Sequence, residues 1–95
     1  MHITYMKAEY PALASRVRLQ IDPVTGAPVL LYPEGLLELN ETAHEVVKRC
    51  DGRSTTSEIA TSLGREYEVK PDEIERDVFE CVDDLVRRNL IILRR

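Results

Sequence analysis

The stretch that decides the fold is Leu30–Gly52, LLYPEGLLELNETAHEVVKRCDG. It holds two short apolar runs, a Pro33-Glu34-Gly35 turn between them, Asn40 placed as a helix cap, and Gly52 placed as a helix stop. The first run, Val29–Tyr32, is rich in strand formers. The second, Leu36–Leu39, puts Leu37 and Leu39 on one face and Leu36 and Glu38 on the other. Ala43, Val46, Val47 and Cys50 then recur at helical spacing.

Toward the N-terminus, Arg16–Ile21 alternates, with Val17, Leu19 and Ile21 on one side and Arg16, Arg18 and Gln20 on the other. Asp22-Pro23-Val24-Thr25-Gly26 supplies the turn to the next strand. The three runs form an antiparallel meander whose third strand is an edge. Residues 1–15 keep no period and contain Pro11, so they read as a flexible N-terminal arm carrying Tyr5, Met6 and Tyr10, and residues 16–95 read as one domain.

Toward the C-terminus, Thr55-Thr56-Ser57-Glu58 is a capping box. Ile59, Leu63 and Tyr67 follow on one face, with Gly64 available for close packing. Pro71 opens a third helix, Asp72, Glu73 and Glu75 suit its positive end, and Arg87 and Arg88 suit the other. Asn89 ends it, and Leu90–Leu93 is a short apolar tail. The expected fold is α+β: a three-stranded meander and then three helices (β-β-β-α-α-α), winged-helix-like.

Composition narrows the function. With 95 residues, 43% hydrophobic and 32% charged, the chain is one small domain that buries roughly two-thirds of its unfolded surface. No apolar run approaches the ~20 residues of a membrane span, and no signal-peptide core is visible, so the cytoplasm is the expected compartment. A net charge of −4 disfavours a nucleic-acid partner. Cys50 and Cys81 read as small buried hydrophobes. His44 and Cys50 stand about 240° apart on a helix and make no metal site. The Ser and Thr of residues 54–57 are accounted for by capping, and no nucleophile has a base placed beside it. No catalytic residue, metal or cofactor is expected.

The third helix has more apolar width than a core needs. Ile74, Val78, Cys81, Val82 and Leu85 fill an arc of about 100°, and Phe79 and Val86 widen it to about 160° on one flank. That flank either packs against the arm, the tail or the sheet, or forms a groove with the third strand. An extended peptide could add to such a groove by main-chain hydrogen bonds. A rival reading is a winged-helix DNA-binding regulator, but residues 72–88 carry seven acidic and three basic side chains, a poor recognition helix. A third is an oligomerisation domain that pairs the same edge with itself.

The series RVRL-x-x-D, GAPVLLYPEG, LN-x-x-A, CDG, EIA-x-x-L and IERDV, spanning Arg16 to Leu93, resembles the PqqD family of pyrroloquinoline quinone (PQQ) biosynthesis. The resemblance implies a non-enzymatic peptide chaperone that binds the precursor peptide PqqA and presents it to the radical-SAM enzyme PqqE, which cross-links a Glu and a Tyr of that peptide. It also implies kinship with the recognition elements of ribosomally made, modified peptides (RiPPs), in which the leader adds beside the third strand and lies against the third helix. The peptide-binding positions it implies here are Leu36, Leu37, Glu38 and Leu39 with Phe79, Val82, Asp83 and Val86. Pro33, Glu34, Asn40, Asp51, Gly52 and Asp77 match the family pattern at turns, caps and helix ends. An open third strand would also allow an edge-paired or swapped homodimer.

Overall fold

A computed structural model describes residues 9–95. Its elements are β1 (Tyr10–Leu13), β2 (Arg18–Ile21), β3 (Pro28–Tyr32), β4 (Gly35–Glu38), α1 (Glu41–Lys48), α2 (Thr56–Tyr67), α3 (Pro71–Arg87) and β5 (Ile91–Arg94). The expected meander is present as an antiparallel sheet in the order β2-β3-β4, followed by the three helices.

Turn chemistry sets each strand connection. Between β2 and β3 the Asp22 carboxylate accepts from the Val24 N–H at 2.8 Å, and Gly26, at φ +76°, donates to the Asp22 carbonyl. Between β3 and β4 only Pro33 and Glu34 separate the paired residues Tyr32 and Gly35. Leu30 is fully buried at the centre of β3, facing Leu19 on one side and Leu37 on the other. Ile21, expected inward, is 51% exposed, because it lies at the far end of an edge strand whose main neighbour is β3.

The helix ends follow the expected chemistry with one exception. Asn40 Oδ1 accepts from the Ala43 N–H at 2.8 Å, and Thr55 and Glu58 complete the reciprocal capping box at 3.1 and 2.7 Å. At the end of α3, Asn89 takes φ +63°. The Leu90 N–H donates to the Leu85 carbonyl and the Asn89 N–H to the Val86 carbonyl, the pair of bonds that makes a Schellman stop. Gly52 is the exception. α1 ends at Lys48, and Gly52, at φ +77°, instead donates to the Pro11 carbonyl at 3.0 Å. A Cβ there would stand 3.4 Å from that of Ala12, so glycine allows the chain to pass close beside β1.

The first and last segments depart most from expectation. Within the stretch read as an arm, Tyr10–Leu13 forms β1, antiparallel to β5, which is the stretch read as an apolar tail. Pro11 and Ala12 are buried there, and the chain near Asp51 closes the other side of β1. Met6 and Tyr5 lie outside the described residues.

The core gathers Leu30, Leu39, Val46, Ile59, Leu63, Val78 and their neighbours between the meander and the helices. α2 and α3 form its closest helix pair. Gly64 permits this, since a Cβ at that position would meet Ile74 Cγ2 at 3.2 Å. Tyr67, expected on the same face as Ile59 and Leu63, stands 44% exposed at the last turn of α2. Replacing Gly64→Val should therefore drive the helices apart and cost about 2 kcal/mol, read as a fall in the urea midpoint with unchanged slope. A midpoint that stays put would show that the contact has slack.

Candidate functional site

The free edge of β4 is set by hydrogen-bond alternation. In an antiparallel pair, residues that exchange bonds with the partner alternate with residues whose N–H and C=O point away. The Leu39 N–H donates to the Pro28 carbonyl at 2.9 Å, and Leu37 faces Leu30 and Gly35 faces Tyr32 two steps at a time along the same register. Leu36 and Glu38 are therefore the residues that turn their backbone groups outward. Their side chains share the outer face of the sheet, and both are exposed, Leu36 at 53%.

Two cavities adjoin the chain on either side of β4. The β3–β4 turn (Tyr32, Pro33, Glu34) shares a cavity of about 390 Å³ with Arg16 and with Arg88, Asn89 and Leu90 beyond α3. At the other end of β4, the first turns of α1 (Glu41, Thr42, Glu45) share a cavity of about 450 Å³ with Glu73, Ile74 and Asp77 of α3. Helix α3 thus contributes to both cavities, Asp77 to the one at the α1 end and Arg88, just past its last residue, to the one at the turn end. At about 100° per residue, Cys81 and Asp84 fall on the same stripe as those two.

The eight positions implied for peptide binding are divided by the structure. Leu36 and Glu38 are exposed on the open edge, and Leu37 is half-buried beneath them. Leu39, Phe79 and Val82 are core residues at 6%, 1% and 0% exposure. Val86 packs partly buried against that core, and Asp83 pairs with Arg87 at 3.0 Å. All four α3 positions project about 100–180° away from the Asp77–Arg88 stripe. The apolar flank of Phe79 and Val86 is thus covered from within. α3 packs against α2 and against β5, whose pairing with β1 was not foreseen. The stripe was readable as an i, i+4, i+7, i+11 spacing, but its mixed charge gave no reason to single it out.

Cys81 is the soft point of the stripe. Burial, and then the Asp84 charge, push its thiol up to about 11, while burial, Cys81 and Asp51 push Cys50 to about 12. Cys50 Sγ is buried and donates to the Val46 carbonyl. Both behave as unreactive thiols. A broad depression of about 610 Å³ along Ser57, Thr61 and Arg65 lies on α2 alone and offers no second wall. No helix among the described residues is long and apolar enough to cross a membrane.

The family model described as Coenzyme PQQ synthesis protein D (PqqD) matches residues 28–91. A protein of Xanthomonas campestris pv. campestris named PqqA binding protein is 39% identical over 90 residues, covering 95% of this chain and 98% of that one. The bifunctional coenzyme PQQ synthesis protein C/D of Methylorubrum extorquens is 37% identical over 84 residues, and there the match covers 88% of this chain but only 23% of the relative's length. Among solved structures, the PqqD truncation of Methylobacterium extorquens PqqCD superposes with a TM-score of 0.77 at 36% identity, covering 90% and 92% of the two chains. Its description calls it a functional and stand-alone RiPP recognition element. Lasso peptide synthetase B1 complexed with the leader peptide superposes at 0.74 with 27% identity, covering 87% and 98%.

Two outcomes follow from the burial pattern. Phe79→Ala should lower stability by roughly 3–5 kcal/mol, a core-cavity cost, whereas Leu36→Ala should stay within about 0.5 kcal/mol. Equal denaturation midpoints for the two variants would remove Phe79 from the core. Alkylation of Cys81, followed by mass spectrometry, should be slow at pH 8 and rise about tenfold per pH unit toward 11, since only the thiolate reacts. A pH-independent rate would contradict the raised thiol.

Proposed function

The chain belongs to the PqqD family, and from that premise we propose that it is a non-enzymatic chaperone that binds the PqqA precursor peptide as an added strand on β4 and presents it to the radical-SAM enzyme PqqE. The observation that carries the reading is the open edge: Leu36 and Glu38 offer two N–H and two C=O groups to one side, with no strand of the described residues beside them. Such an edge is a pairing template that proteins otherwise blunt or cover. A second copy of this chain could pair there too and would compete with the peptide.

Magnitudes show what the edge can and cannot do. Four backbone bonds contribute roughly 0.5–1.5 kcal/mol net each. Association costs about 4–15 kcal/mol in lost freedom. Backbone pairing therefore lays the peptide along the edge, in either direction, but needs side-chain contacts to hold it. The half-buried Leu37, the outer-face Leu36 and the Asp77–Arg88 stripe are the surfaces within reach. The acidic composition of α3 also disfavours nucleic acid as a competing ligand.

Hydrogen exchange tests the edge. The Leu36 and Glu38 amides should exchange quickly in the free protein and become protected when PqqA is added, while Leu37, already bonded to β3, changes little. Leu36→Pro removes only an outward N–H and should weaken PqqA at least tenfold at near-unchanged thermal midpoint. Leu37→Pro, which breaks the ladder, should unfold the hairpin. Protection elsewhere, with the β4 amides still exposed under saturating peptide, would rule out strand addition.

A further inference from the structure

The strip beside β4 is electrically asymmetric. From Gly35 to Leu39 the strand spans about 14 Å at ~3.4 Å per residue, and from Asp77 to Arg88 the helix spans about 16 Å at 1.5 Å per residue. The two lengths are similar, and the chain that flanks β4 on either side, Tyr32, Pro33 and Glu34 before it and Glu41 and Thr42 after it, lines one cavity each together with residues of α3 or its end.

At the α1 end the cavity has an apolar floor of Leu63, Val69 and Ile74, with the partly exposed Tyr67 ring at its side. Glu41, Glu45, Glu73 and Asp77 line it, and no Lys or Arg of the described residues does. Glu45 is neutralised by Lys48 at 2.9 Å and Arg49 at 2.8 Å. Glu41, Glu73 and Asp77 have no ion pair among the described residues. The Tyr67 phenol beside it has its pKa raised, first by burial and then by the charges of Glu45, Glu66 and Glu41. The space suits a long cationic side chain, whose methylenes would cover the floor while its head meets the carboxylates and the ring face.

At the turn end the balance is reversed. Arg16 and Arg88 face the cavity with one carboxylate, Glu34. Arg88 is held by Asp84 at 3.0 Å. Arg16 has no ion pair among the described residues and sits at φ +71°.

We propose that these two cavities fix the charge class and direction of the bound segment: a Lys or Arg side chain enters the cavity lined by Glu73 and Asp77, and a carboxylate meets Arg16 at the opposite end. This rests on the strand-addition reading and adds to it. An edge strand accepts either direction of peptide through its backbone groups alone, so selection of one direction has to come from the ends. The partner is thus an extended segment with opposite charges about 15 Å apart, roughly four to five residues.

Coupling energies test this with PqqA itself as the probe. The double variant Glu73→Gln/Asp77→Asn, the variant Arg16→Gln and the native protein are titrated with PqqA and with peptides in which each Lys or Arg becomes Gln and each Asp or Glu becomes its amide, one at a time. The expected result is that the double variant binds PqqA at least tenfold more weakly, with one Lys or Arg change showing no further loss against it. Arg16→Gln should couple in the same way to one acidic change, at a position four to five residues away. Thermal midpoints verify that the variants are folded. Strictly additive losses at the Glu73/Asp77 cavity overturn the proposal, as do two couplings at neighbouring peptide positions. If Leu36→Pro weakens PqqA while no charge couples, the inference falls and strand addition stands. If PqqA binds neither native protein nor variants, both fall.

Discussion

The inward seat of Leu30 is the constraint on which the rest depends. It is fully buried, it faces Leu37 across the ladder, and it lies on the sheet face that meets the helices. A one-residue slip of β4 would turn Leu37 outward and bury Glu38 in its place, at the cost of desolvating a carboxylate. Core packing therefore fixes the register. The register in turn fixes which backbone groups of β4 are left without partners among the described residues. The hydrophobic core thus selects the open edge without any residue of that edge being specialised for it.

Helix α3 divides the remaining surface. Pro71 starts it and Asn89 stops it with a left-handed turn that sends Leu90 back over Leu85 and the chain into β5. β5 needs a partner, and β1 provides one, with Gly52 allowing the Asp51 segment to close its far side. This second small sheet, together with α2, covers the flank of α3 that carries Phe79 and Val86. The burial of Phe79 and the partial burial of Val86 thus account for an apolar arc wider than one core face needs.

The contrast shows what periodicity carries. The meander, both N-caps and the Pro71 start were legible because each is decided by neighbours in sequence: alternation of two, an Asn or Thr ahead of an apolar repeat, a Pro at the first turn. The β1–β5 pair was not, because Tyr10 and Arg94 lie at opposite ends of the chain and neither strand alternates on its own. Gly52 was misread for the same reason. A glycine past a helix looks like a cap, whereas its actual partner is Pro11, some forty residues away. The open edge of the candidate site was legible, since an edge follows from strand order. The burial of Phe79 and Val82 was not, since which flank of α3 is covered depends on how α2 and β5 pack on it.

Screening decides how the ends of the edge act. At physiological ionic strength the Debye length is about 8 Å, and Asp77 and Arg88, one at each cavity, stand about 16 Å apart along the helix axis, two such lengths. Each therefore sees little of the other's charge, and the domain's net charge of −4 adds little at either. A peptide sliding along β4 would feel no long-range gradient to align it. Direction can be set only by contacts made at the ends themselves, where partial burial weakens screening and a mismatched carboxylate at Glu73 and Asp77 would be repelled at short range. In such an arrangement the backbone ladder is a contact that any extended segment could share, and discrimination falls to two local charges whose effect does not depend on the sequence between them.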